Sequence, residues 1–65
     1  MKNYWLGRFK IGKRVRYKGR DKDLEGKFGY VVSINGEWID VRFEFSGLFN
    51  TTRVVCVEKN NLEIM

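Results

Sequence analysis

Arg14, Arg16 and Lys18 alternate with Val15 and Tyr17. In an extended chain the three cations share one side at about 6.5–7 Å spacing, so neighbouring charges can meet neighbouring phosphates of one nucleic-acid strand. Arg8, Lys10, Lys13, Arg20 and Lys27 can add to the same positive field. The other reactive side chains offer less. General acid–base catalysis at neutral pH most often uses histidine, and the chain has none. Asp21, Asp23 and Glu25 stand among Arg20, Lys22 and Lys27, where carboxylates stay ionised and solvated and do not divide into an acid and a base. Cys56 lacks a histidine to activate it and lies in an apolar run, the setting of a core or half-buried thiol. The stretch from Asp21 to Gly26 begins like a calcium loop, but the position of the loop's bidentate glutamate falls on Val32. No catalytic site, metal site or cofactor is expected.

The basic residues are concentrated at one end of the chain. Residues 1–30 hold ten Lys or Arg against three carboxylates, whereas residues 31–65 hold three against five, for a net charge of +5. A one-sided positive field favours an anionic partner and speeds encounter with it. At 65 residues the chain makes one domain, 1–65, since a chain this short buries only about 60% of its unfolded surface. With one cysteine it has no internal disulfide, so apolar packing must hold it. Hydrophobic residues make up 43% of the sequence. No apolar run approaches the roughly 18–20 residues that cross a bilayer, and the start MKNYWLGRFK lacks the pattern of a secretory signal. A cytoplasmic protein with no membrane contact is the expectation, and the unpaired cysteine agrees with a reducing compartment.

The elements that would carry the basic residues are strands. Two β-rich runs, FGYVVSI and EWIDVRFEF, flank Asn35-Gly36, a strong hairpin signal because both residues tolerate the positive φ of a type I′ turn. That turn would pair Ile34 with Glu37, Val32 with Ile39, Tyr30 with Val41 and Phe28 with Phe43. Phe28, Tyr30 and Val32 would then share the core face with Ile39, Val41 and Phe43, leaving Gly29, Val31 and Ser33 opposite them with Trp38, Asp40 and Arg42. Ile11 to Lys18 reads as a half-buried strand with Val15 and Tyr17 inward. Arg20 to Gly26 reads as a polar loop with Leu24 as an inward anchor. Arg53 to Val57 reads as a strand whose apolar residues fall on both faces, leaving its buried side open. Leu62 and Ile64 flank Glu63 in a short closing strand after an Asn60-Asn61 turn. Four or five short strands in tight succession, with no helical periodicity, predict an all-β fold, a small antiparallel barrel. Tyr4, Trp5, Leu6 and Phe9 make residues 1–10 apolar enough to pack on that barrel.

Gly12-Lys13-Arg14-Val15-Arg16-Tyr17, followed by Gly26-Lys27-Phe28-Gly29-Tyr30-Val31-Val32, resembles the KOW motif of ribosomal proteins and transcription elongation factors. The resemblance covers about residues 12–34 and implies a five-stranded SH3-like barrel that binds nucleic acid. The chain departs from the motif in the loop, where Asp21, Asp23 and Glu25 stand in a stretch that is usually short and rich in Gly and Lys. A second set, Asp23-Leu24-Glu25-Gly26, Gly29-Tyr30-Val31, Val41-Arg42-Phe43-Glu44 and Ser46-Gly47-Leu48 with Asn50-Thr51, is similar to the small SH3-like component of photosystem I and to the variable chain of ferredoxin:thioredoxin reductase. Those small proteins of photosynthetic electron transfer dock and stabilise without chemistry of their own.

Two functions follow as expectations. In the first, a non-catalytic module binds RNA or DNA through Arg14, Arg16, Lys18, Lys27 and Arg42 as phosphate contacts, with Trp38 as a stacking residue on the hairpin's outer face. In the second, the same basic strand docks on an acidic protein partner, and Leu48 and Phe49 in the polar loop offer a further protein contact unless they cap the barrel. Either module would be a monomer or weakly self-associating.

Overall fold

A computed structural model describes residues 9–45 and 51–65. They form five strands, β1 (Arg14–Tyr17), β2 (Phe28–Asn35), β3 (Trp38–Phe45), β4 (Thr51–Glu58) and β5 (Leu62–Ile64), with one turn of 3-10 helix, Lys59–Asn61, between the last two. All pairings are antiparallel in one sheet of order β4-β3-β2-β1-β5. Residues 1–8, which hold most of the expected N-terminal packing segment, lie outside the described residues, as do Leu48 and Phe49. Phe9 is half-buried against the core.

The connection from β4 to β5 bends the sheet. In a flat five-stranded sheet of this order the outer strands would stand about 19 Å apart, at about 4.8 Å per strand. The 3-10 turn, advancing about 2 Å per residue, spans only about 8 Å between Glu58 and Leu62. The sheet therefore curves until its two edges approach at this end. No pairing joins β4 to β5 among the described residues, so the sheet is open there.

The concave face holds the core: Val15, Tyr17, Leu24, Val31, Ile39, Val41, Phe43, Val57 and Leu62 are buried. Tyr17 meets Phe43 edge to face, with ring centroids 6.2 Å apart. Its hydroxyl accepts a hydrogen bond from the Asp21 amide, so one side chain fills the core and holds the loop that follows β1. Leu24 anchors that loop inward as expected. The Asp23 amide donates to the Asp21 carboxylate at 2.9 Å, which gives the first of the loop's carboxylates a local turn-forming role. Val15 and Tyr17 face inward, and Leu62 and Ile64 face the core around an exposed Glu63, all as the alternation indicates. β1 is shorter than the pattern suggested, because Ile11 and Gly12 form a turn with Gly12 at φ 90°.

The hairpin differs from expectation in two ways. Its turn is Gly36-Glu37, with Asn35 still in β2 and paired to Trp38. Gly36 has φ 61° and no other type of residue has positive φ among the described residues; positive φ at the first central position alone is the type II′ signature, which glycine there satisfies. By itself this change of turn moves no side chain across the sheet, since Ile34 now pairs with Ile39 and Ser33 with Asp40. The second difference does. A bulge between Val31 and Ser33 inserts Val32 as an unpaired residue, so Val31 pairs with Val41 and Gly29 with Phe43. One added residue inverts every side chain beyond it. Val31 and Gly29 become the core residues, Tyr30 turns to solvent, and Phe28 is half-buried on the outer face. Gly29 shows why the core prefers this arrangement. A Cβ there would stand 2.5 Å from the Arg42 carbonyl oxygen and 2.7 Å from Val41 Cγ1, so β3 packs over a position where only glycine fits without displacement.

β4 resolves the strand whose buried side was open. Val57 is buried, Val55 is half-buried, and Val54 and Cys56 are exposed. The expected core or half-buried thiol is thus corrected: Cys56 pairs with Asp40 and shares its outward side.

Candidate nucleic-acid interface

The bulge assembles a surface that simple alternation does not foresee. Register pairs Arg14 on β1 with Tyr30 on β2, Tyr30 with Arg42 on β3, and Arg42 with Val54 on β4. Arg14, Tyr30, Arg42 and Val54 therefore form one lateral row on the convex face, and all four are exposed. Neighbours in such a row stand about 4.8 Å apart at the backbone, with side chains perpendicular to the sheet. Tyr30, 43% exposed, stands between two arginines in this row. Among the described residues its ring and hydroxyl make no hydrogen bond or ring contact.

Phe28 lies one step along β2 on the same face, and the Arg14 guanidinium carbon sits 4.8 Å from its ring centroid. This contact fixes the arginine over an aromatic plane while leaving its outer N–H groups free to donate. Arg16, paired laterally with Phe28, bonds Glu63 on β5 at 2.6 Å. Both partners are about half exposed, so the pair is weak and can yield Arg16 to a stronger anion.

The remaining expected contacts are dispersed. Lys18 is exposed just beyond the end of β1, where its amide donates to the Asn61 carbonyl. Lys27 is set apart, with its ammonium 5.1 Å from the Phe45 ring centroid and Arg53 5.0 Å from the same ring. Phe45 packs against the core, so this group of two cations and a ring belongs to the concave side. Trp38 is 53% exposed on the convex face, but it pairs with Glu58 on β4, and Asp40 separates it along β3 from Arg42. Glu58 and Asp40 are its acidic neighbours by register and along the strand, and Lys59 joins Glu37 beside it through a backbone hydrogen bond. The structure thus brings together Arg14, Arg16 and Arg42, keeps Lys18 at their margin, and places Lys27 and Trp38 elsewhere. Tyr30 and Phe28 are the residues sequence reasoning missed; nothing in the alternation marks a bulge, and it is the crowding at Gly29 in the fold that accompanies the inward placement of Gly29 and Val31.

Asp40 forms the face's second polar group. It accepts a hydrogen bond from the Ser33 hydroxyl at 2.6 Å. Desolvation, a hydrogen bond with Asp40 and the Asp40 charge together hold the Cys56 thiol above its ordinary pKa. A thiol so placed remains protonated at neutral pH and is a poor nucleophile. Among the described residues no three His, Cys, Asp or Glu side chains converge as metal ligands, and no helix is long and apolar enough to cross a membrane.

A shallow groove of about 180 Å³ lies where the sheet stays open, lined by Tyr17, Asp21, Leu24, Val57 and Glu58 together with Trp38 and Cys56 at the edge of the sheet. Its charged lining residues are acidic, the opposite of the convex row.

Comparison with known proteins brings no likeness: no protein-family model, curated protein or solved structure matches this chain.

Proposed function

We propose that this protein is a non-catalytic nucleic-acid-binding module whose contact surface is the convex face of β1, β2 and β3. The observation that carries the reading is the lateral row of Arg14, Tyr30 and Arg42, because it alternates cation, exposed ring and cation on one rigid sheet. Phosphates bind the guanidinium groups of Arg14, Arg42 and Arg16, the last exchanging Glu63 for the ligand. Lys18 extends the positive margin. An SH3-like barrel of the KOW type is part of this proposal, supported by the sheet's curvature and by the return of β5 to the free side of β1. So are a monomeric or weakly associating state and a cytoplasmic setting, in which an unpaired Cys56 is stable.

The test is a titration with single- and double-stranded oligonucleotides at low and moderate salt. Three phosphate contacts give a slope of log affinity against log salt of about −2, at about −0.7 per contact on a single strand. Arg42→Ala makes that slope shallower by about 0.7. Absence of binding to every oligonucleotide at low salt removes the proposal.

One observation favours the alternative of protein docking. β4 is an eight-residue strand at the edge of the sheet, and Val54 is 52% exposed upon it. Long edge strands accept an added strand from a partner. Under that reading the row Arg14–Tyr30–Arg42 meets acidic side chains, and capture from nuclease-treated lysate retains one specific acidic protein while oligonucleotides do not compete.

A further inference from the structure

We infer that the nucleic acid recognised by this face is single-stranded, and that Tyr30 is its stacking residue, holding one unpaired base between phosphates bound by Arg14 and Arg42. This rests on the nucleic-acid reading above and makes it specific. Three features of the convex face carry it.

The first is the shape of the surface. A major groove about 12 Å wide admits a helix or a two-stranded ribbon. Here the β2–β3 ribbon is flanked by β1 on one side and β4 on the other, so it cannot enter such a groove. The second is the state of the ring. Tyr30 stands outward and exposed, while the neighbouring Phe28 ring is already occupied by the Arg14 guanidinium. A duplex keeps the faces of its bases within its own stack, whereas an unpaired base presents a free π-face. The third is charge. Tyr30 has an arginine on each lateral side, whereas the other exposed ring of this face, Trp38, pairs with Glu58 and is separated from Arg42 by Asp40. A phosphate is attracted beside Tyr30 and repelled beside Trp38. The same comparison moves the stacking role from Trp38 to Tyr30.

The test measures fluorescence anisotropy with a labelled oligothymidylate about ten nucleotides long and a blunt duplex of similar length. Wild type binds the single strand more tightly than the duplex. Tyr30→Val keeps a strand-forming residue but removes the ring; it weakens single-strand binding by about 5- to 150-fold and leaves the salt slope unchanged, because no phosphate contact is lost. Tyr30→Phe retains near wild-type affinity. A second measurement needs no variant: irradiation with an iodouracil-substituted oligonucleotide cross-links the peptide that contains Tyr30. Single-strand affinity unchanged in Tyr30→Val, a duplex bound as tightly as the single strand, or a cross-link confined to the Trp38 peptide overturns the inference. These outcomes differ from failure of the underlying reading, in which wild type binds neither oligonucleotide. Binding that Arg42→Ala weakens and Tyr30→Val does not leaves the module a nucleic-acid binder and removes only the stacked base.

Discussion

Asp40 governs the chemistry of its neighbours on the convex face. Its carboxylate accepts the Ser33 hydroxyl and contacts Cys56, and it stands between the arginine row and Trp38 along β3. Desolvation and the nearby negative charge both disfavour the thiolate, so the Cys56 pKa is raised. Since the thiolate is the species that alkylates, Asp40→Asn lowers the Cys56 pKa and speeds its reaction with iodoacetamide at a fixed pH near 8. The pH–rate curve moves to lower pH in the variant. A curve left in place would mean that Asp40 has no hold on the thiol. The same substitution removes a negative charge between Trp38 and Arg42 and tightens oligonucleotide binding.

The β2–β3 hairpin is the element on which the surface depends, and its turn and its bulge do different work. The turn sets the pairing of Ile34 with Ile39, and the bulge at Val32 then inverts the first half of β2. In a type II′ turn the demanding position is Gly36, at φ 61°; Asn35 is an ordinary strand residue. Gly36→Ala therefore costs about 1–3 kcal/mol, the penalty of an alanine held in a sparsely populated positive-φ region. Asn35→Thr, which favours the extended backbone Asn35 already has, changes stability by no more than about 0.5 kcal/mol. Urea denaturation measures both. A turn centred on Asn35-Gly36 would give the opposite ranking for Asn35→Thr, since a β-branched residue resists positive φ.

At the scale of the whole molecule, the described residues share one small core beneath a curved sheet. Phe43 is fully buried near the centre of that core, against Tyr17. Cores of chains this short rarely supply more than about 3–5 kcal/mol of net stability, and a buried Phe→Ala change removes about 3–5 kcal/mol. Phe43→Ala is accordingly expected to leave the protein largely unfolded at 25 °C, seen as loss of the cooperative thermal transition by circular dichroism. Retention of a sharp transition would mean that residues outside the described core carry much of the stability. Among the described residues some of the charge follows a similar division: the arginines of β1 and Arg42 lie on the convex side, whereas Lys27 and Arg53 meet around Phe45 on the concave side.

By itself the sequence determined that the chain is all-β, where β1, β3 and β5 turn their apolar residues, that Leu24 anchors the loop, and that a hairpin reverses near Gly36. Each of these is a local consequence of period-two alternation or of glycine chemistry, which needs no knowledge of distant residues. Tertiary structure decided the face of β2 and the outward placement of Cys56. Both faces of β2 are apolar enough to be buried, and Gly29 fits where β3 crowds against it while Tyr30 does not. That choice depends on contacts with Val41 and Arg42 across the sheet. The row Arg14–Tyr30–Arg42 exists because packing at Gly29 selected the bulge, and alternation along a single strand carries no trace of it.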